Sequence, residues 1–367
     1  MTIETNITKM FGIKHPIFSA AMGPFYTTDL CVAVSEAGGL GVLSHTTIKR
    51  GDNIGTETST SSARLGADAV EAMKENMKFV VEHTDKPFGF NIRTSRNEVQ
   101  ADKLCSEIPK FIMENPKIRD QCIYALTSAG SSRKLPESKS FQELKKKSEI
   151  KHFHVAPALW LADKCVASGV DGMVVTGGEG GGHQSYEKIS TLVLLQQVQK
   201  KHPDFPVIAC GGFATGAGLA AALSMGAGGI AMGSRFIASK DAEFNENYKG
   251  VVPPSKASDT ILVTGALGPI RLWKNEYSLH HGLVEDKQAK IAEEQKVAKM
   301  SREDLIKEFI ATANAYLAAY RGDVKSGAVL LGQSIGVIDS IESVSDIIND
   351  MVSEAEKLIK NVAANIK

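Results

Sequence analysis

Phe205-Pro206-Val207-Ile208-Ala209-Cys210-Gly211-Gly212 is a short apolar run that ends in two glycines. Thr215-Gly216-Ala217-Gly218 follows and opens an Ala/Leu segment with helical spacing. A second run, Gly229-Ile230-Ala231-Met232, ends in Gly233-Ser234-Arg235-Phe236. Two consecutive strands thus each finish in a glycine turn. Backbone N–H groups exposed in such turns, and at a helix N-terminus, converge on a phosphate dianion, and a Cβ would hold the phosphate away. Barrels of eight βα units place a phosphate at the loops after strands seven and eight. Gly211, Gly212, Met232, Gly233 and Ser234 are therefore the candidate phosphate-end residues. The plainer alternative is that these glycines only permit tight turns.

On either side of these turns, apolar runs alternate with helical segments through most of the chain. Strands are expected at 16–20, 40–43, 88–92, 122–126, 152–156, 172–176, 206–210 and 229–232. They are continuously apolar, as in a parallel sheet covered by helices, and eight units in series argue for a closed (β/α)8 barrel over an open sheet. Thr28 is expected to cap a helix stopped by Gly38-Gly39. Leu65, Ala69, Met73, Met77 and Val80 recur at helical spacing, and a helix at 99–113 contains Pro109, which bends or splits it. Beyond the barrel, 287–299 is charged and helical. Ser301 with Asp304 opens a helix carrying Leu305, Phe309, Ala313, Tyr316 and Tyr320 on one face. Ser343 with Asp346 opens a last helix with Ile347, Met351, Ala355 and Leu358 inward. The expected organisation is a barrel at 1–250, a helical lid at 251–335, and a C-terminal helix at 336–367 returning to the barrel.

Thr176-Gly177-Gly178-Glu179-Gly180-Gly181-Gly182-His183-Gln184-Ser185 follows the sixth strand. The phosphate segment resembles that of several FMN barrels and of IMP dehydrogenase. The latter chemistry needs a cysteine in a glycine-rich loop, and 177–182 has none. The histidine box is more specific. It resembles the Gln-Gly-x-Glu-Ala-Gly-Gly-His-x-Gly box of the nitronate monooxygenases and related FMN-dependent enoyl reductases. Gly177, Glu179, Gly181, Gly182 and His183 match; Thr176, Gly180 and Ser185 depart. Pro16-Ile17-Phe18-Ser19-Ala20-Ala21-Met22-Gly23 is similar to the family's first strand, Asn91 to its flavin-contacting asparagine, and Gly332-Gln333-Ser334-Ile335-Gly336 to a late family segment. Residues 48–64 and 128–150 are less family-like and read as insertions.

The resemblance implies FMN held by Ala21, Met22, Gly23, Asn91, Thr176, Gly181, Gly182 and the phosphate-end residues, with His183 as the catalytic group. The residue chemistry agrees: a histidine exchanges a proton near neutral pH, and a loop at the C-terminal mouth faces substrate. Glu179 is expected to hold its loop by accepting backbone N–H bonds. Three functions are compatible. The first is oxidation of alkyl nitronates with O2. The second is reduction of an enoyl thioester or quinone, with NAD(P)H as reductant. The third is a flavin-binding regulatory barrel without turnover.

Composition excludes some partners. Lys plus Arg equals Asp plus Glu, 42 each, so no nucleic acid or membrane partner is expected, and no apolar run reaches bilayer length. Residues 1–14 lack a signal peptide's apolar core, and the five cysteines suggest neither metal nor disulfide framework, so a cytoplasmic location is expected. The family resemblance implies a homodimer. The basic residues of 133–151 read as a solvated helix face, within a stretch, 134–151, that is the most linker-like of the chain, and attraction of coenzyme A phosphates is the functional alternative. His152, His154, His280 and His281 lack metal spacing, and Trp160 and Trp273 read as core or lid packing. Arg271 resembles a family position without an assigned chemistry.

Overall fold

Strands apolar on both faces need helices outside and a filled interior, and the backbone supplies both by closing on itself. The computed structural model describes residues 3–49, 68–95, 98–264, 268–280 and 287–366. In chain order the strands are β1 (Ile17–Ser19), β2 (Gly41–Leu43), β3 (Phe88–Arg93), β4 (Cys122–Ser128), β5 (Lys151–Ala156), β6 (Gly172–Thr176), β7 (Gly182–His183), β8 (Val207–Cys210) and β9 (Gly229–Met232). All except β7 form one parallel sheet in the order β1-β9-β8-β6-β5-β4-β3-β2. A parallel bridge between Phe18 and Leu40 joins β1 to the entry of β2. Leu40 N–H donates to Ile17 O at 2.9 Å across the same seam. The fold is a (β/α)8 barrel.

The helix Asn6–Phe11, capped by Thr5, plugs the N-terminal end. Its Ile7 and Phe11 join Phe18, Tyr124, Phe153 and Ile208 in the interior cluster. The Phe11 ring meets Phe18 at 5.8 Å, Tyr124 at 5.3 Å and Phe153 at 5.6 Å between centroids. Gly172 gives these rings room, since a Cβ there would lie 2.2 Å from the Phe153 ring. Gly172→Ala is expected to destabilise the fold by about 1–3 kcal/mol through overpacking. A urea midpoint equal to wild type would refute that packing argument.

Strand alternation sends His152 and His154 outward, where they are buried and share the Thr127 hydroxyl at 2.7 Å each. Burial lowers the His154 pKa to about 4. The folded state thus favours neutral imidazole, so this contribution is complete above the unfolded value near 6.5 and is lost as pH falls through 4. The expected loss is about 3 kcal/mol. Urea unfolding of wild type and His154→Gln between pH 7 and 4 tests it: the variant's curve should be flatter.

Several expectations need correction. Thr28 is the first residue of the helix Thr28–Glu36 rather than its cap. Its neighbour Thr27 donates to Ser44 Oγ, and the Glu243 carboxylate accepts the amides of Asp29 and Leu30. The helix Ala101–Glu114 runs unbroken through Pro109. The basic stretch is a solvated helix face, as expected, rather than a linker: Lys139–Lys147 is the barrel helix between β4 and β5, with Phe141 and Leu144 buried. Lys134 pairs with Asp102 and Lys145 with Asp171, at 2.5 and 2.7 Å. That helix keeps 139–147 within the barrel's strand–helix alternation. Trp160 is 42% exposed instead of packed, whereas Trp273 donates to Ser255 Oγ. Leu65 and His281 lie outside the described residues.

The region expected to be helical also carries two strands, β10 (Thr260–Val263) and β11 (Ile270–Trp273). They form an antiparallel sheet with β7. Charged helix Lys287–Lys299 and Ser301-capped helix Arg302–Tyr320 follow. On the latter Tyr316 and Tyr320 are buried but Ala313 is exposed, because the inward stripe runs through Ala315 and Ala319 instead. The side chains of Leu305 and Phe309 lie outside the described set. Ser343 caps the last helix, Val344–Ala364, and Ile347, Met351 and Ala355 are buried against the barrel with Leu358 half-buried.

Candidate active site

At the N-terminal end the strands are sealed; at the C-terminal end they open. Ile17, Ile208 and Ile230 are fully buried, whereas Ala20, Ala21, Met22, Gly23, Cys210, Gly211 and Gly233 are half-buried and Gly181, Gly212 and His183 are exposed. The sequence-derived candidates therefore converge on one mouth, at the strand ends where barrels carry their chemistry.

Its candidate phosphate end is built from the turns after β8 and β9. Gly211 and Gly212 have φ of 86° and 90°, a backbone that a side chain would strain. At Gly233 a Cβ would meet nothing closer than Ala20 Cβ and Met22 Sδ, both 3.9 Å away. That open cradle suits a phosphate. Met232 is buried below it, and Ser234 Oγ accepts from Gly332 N–H at 2.9 Å, leaving its own proton to donate. The N-terminus of the helix Gly216–Ser224, expected to contribute, is already occupied. Gly216 N–H donates to the Glu354 carboxylate at 2.7 Å, and Thr215 caps Gly218. Among the candidate phosphate donors, the two glycine turns therefore remain.

Just after β1, the Met22 amide donates to Ser44 Oγ at 2.8 Å. At Gly23 a Cβ would lie 2.4 Å from His45 O, so only glycine fits. Asn91 uses its amide nitrogen on Leu126 O at 3.2 Å and Ser128 Oγ at 3.1 Å. A carbonyl only accepts, which fixes the amide orientation and leaves Oδ1 as an acceptor. Thr176 pairs in register with Cys210 and hydrogen-bonds its thiol. These residues fit a flavin: a phosphate cradle at one end and polar amide groups above the barrel.

The histidine box is held from three sides. Glu179 accepts the Thr191 amide at 2.7 Å, which is the loop-holding role expected of it, and its own carbonyl accepts from Gln333 N–H at 2.8 Å. Gly181 must be glycine because a Cβ would come within 2.7 Å of Gly332 N. Gly182 and His183, as β7, pair with Arg271 and Ile270 of β11. Arg271 is buried and donates from Nε to Gly178 O at 2.7 Å. Its role is therefore to tie the box to the hairpin. The sequence offered no signal for this pairing, because a two-residue strand has no readable period.

His183 is open to the mouth yet surrounded by protein. That desolvation, followed by the positive charge of Arg93, lowers its pKa to about 4. At neutral pH the imidazole is uncharged, with one nitrogen able to accept a proton.

The nitronate monooxygenase family model matches residues 4–354. The chain belongs to the nitronate monooxygenase family. It is an oxidoreductase of that type, acting on a small-molecule substrate. The chain is 28% identical to the (3aS,4S,5R,7aS)-5-hydroxy-7a-methyl-1-oxo-octahydro-1H-indene-4-carboxyl-CoA dehydrogenase of Rhodococcus jostii, over 99% of each chain. It is 25% identical to a probable nitronate monooxygenase of Staphylococcus saprophyticus, over 76% of this chain and 80% of that one. Among solved structures, FabK from Thermotoga maritima superposes with a TM-score of 0.76 at 28% identity, each chain fully covered. No helix among the described residues is long and apolar enough to cross a membrane.

Proposed function

We propose that this family member is an FMN-dependent oxidoreductase acting on a carbon acid activated by an acyl thioester, with His183 moving the proton. The observation that carries the reading is the placement of His183. Its neutral imidazole is exposed at the end of the barrel where the strands open, fixed by β7–β11 pairing. FMN, when bound, supplies a two-electron acceptor or donor. Gly211, Gly212, Gly233 and Ser234 would hold its phosphate. Ala21, Met22, Gly23, Asn91, Thr176, Gly181 and Gly182 would surround its ring system. The thioester assignment is supported by likeness over the full length to proteins named as CoA-ester dehydrogenases.

The nitronate reading comes second, favoured by the family match and by the same acidity of a carbon next to a nitro group. Residues 251–335 serve as the lid in this proposal. A cytoplasmic location accords with five free thiols, and a homodimer with the family pattern.

Anaerobic absorbance of FMN-loaded protein, mixed separately with a saturated acyl-CoA, ethyl nitronate, NADH and NADPH, tests the proposal. Bleaching by the acyl-CoA, or by a nicotinamide with reoxidation by an enoyl-CoA, supports the thioester reading. Bleaching by nitronate alone moves the assignment to nitronate oxidation. No bleaching by any of them leaves a non-catalytic barrel.

A further inference from the structure

Arg93 ends β3, two residues beyond Asn91. Alternation places both on the same face of the strand, the one that lines the barrel interior and its mouth. An arginine there has no role in filling the barrel, and its surroundings are built to hold it. Its amide donates to His45 Nδ1 at 3.0 Å. His45 therefore carries its proton on Nε2, which lies 3.5 Å from Glu98 Oε2. The same carboxylate oxygen takes Arg93 Nη2 at 2.9 Å. Nε is walled in with no partner among the described residues, while the side chain as a whole remains 29% exposed. Glu98 thus clamps one edge of the guanidinium, and its remaining donors find no acceptor among the described residues. The positive charge is near enough to be felt at both His183 and Tyr316 of the lid helix.

We propose that Arg93 is the residue that receives the substrate's oxyanion, turning its unclamped N–H groups to the carbonyl or nitro oxygen while His183 takes the proton. This rests on the reading of His183 as the base. In the step, the α-carbon–hydrogen bond breaks and its proton forms an N–H bond on His183. The electron pair left behind moves into the conjugated system, and the negative charge settles on oxygen, where Arg93 donates. No electron leaves the substrate in this step, so it needs no oxidant. A charge-assisted donor aimed at developing charge is the arrangement that favours such an ionisation.

The test uses FMN-loaded wild type, Arg93→Gln and Glu98→Gln, with three probes: acetoacetyl-CoA, whose enolate absorbs in the ultraviolet, ethyl nitronate, already an anion, and butyryl-CoA, whose acyl group stays un-ionised. Arg93→Gln is expected to weaken binding of both anions by about 10- to 100-fold and to leave butyryl-CoA within about threefold. Glu98→Gln removes the competing negative charge and is expected to tighten anion binding. Should Arg93→Gln fail to retain FMN, the Glu98→Gln result decides. Equal anion affinity in wild type and Arg93→Gln overturns the inference, as does unchanged or weaker anion binding in Glu98→Gln. If wild type binds ethyl nitronate but neither CoA ester, the thioester reading falls and the nitronate arm alone decides the role of Arg93. Binding of neither anion by wild type overturns both.

Discussion

His183→Asn is expected to lower kcat/KM for a neutral carbon acid, an acyl-CoA or nitroethane, by about 100- to 10,000-fold. The same variant should oxidise pre-formed ethyl nitronate within about tenfold of wild type, because that substrate has already lost the proton. The contrast separates proton transfer from binding. It also carries a pH signature. With its pKa lowered to about 4, His183 is in its base form throughout the neutral range and becomes protonated only as pH falls through that value. The acid limb of kcat/KM for the neutral substrate should therefore lie near pH 4 rather than 6.5. Equal losses on nitroethane and ethyl nitronate would remove the base assignment and leave His183 as a binding residue.

Gly233→Val is expected to abolish flavin retention while sparing the fold. The glycine has φ of −99°, which any residue adopts, and a Cβ there would touch only Ala20 and Met22 at 3.9 Å. The valine methyl groups would project into the cradle and displace a phosphate from the turn amides. Losing two charge-assisted hydrogen bonds weakens FMN by about 100-fold or more. The melting temperature of the flavin-free protein should stay near that of flavin-free wild type, which distinguishes this site from Gly211 and Gly212, where φ of 86° and 90° would strain any side chain. Undiminished FMN affinity, by quenching of flavin fluorescence, would place the phosphate elsewhere.

The barrel was legible because its strands are apolar runs punctuated by glycine. β6 and β9 fall at the expected residues, and the other six barrel strands lie within two residues of their expected ends. The mouth was legible for the same reason: glycines at 211, 212 and 233 mark where backbone must turn or stand aside. What stayed hidden was contact between distant segments. Glu243 caps a helix that begins at Thr28, and Glu354 occupies the first turn of the helix at Gly216. Neither acidic residue differs, in sequence, from a surface carboxylate. The lysines at 145–147 masked the buried pair Phe141 and Leu144, so charge density was read as a linker. The one signal that could have been used is Arg93, an arginine in phase with Asn91 at the end of an apolar strand.

β7 belongs to the barrel by sequence and to the β10–β11 sheet by hydrogen bonding. His183 and the β10–β11 pair are consequently one mechanical unit, so any displacement of that hairpin carries His183 with it. For chimeras between relatives this sets a rule about junctions. Exchanging only residues downstream of the barrel would graft a hairpin whose partner strand it did not evolve beside. A functional exchange has to carry Gly177, Glu179 and the rest of the histidine box together with Arg271, as a single cassette cut from two places in the chain.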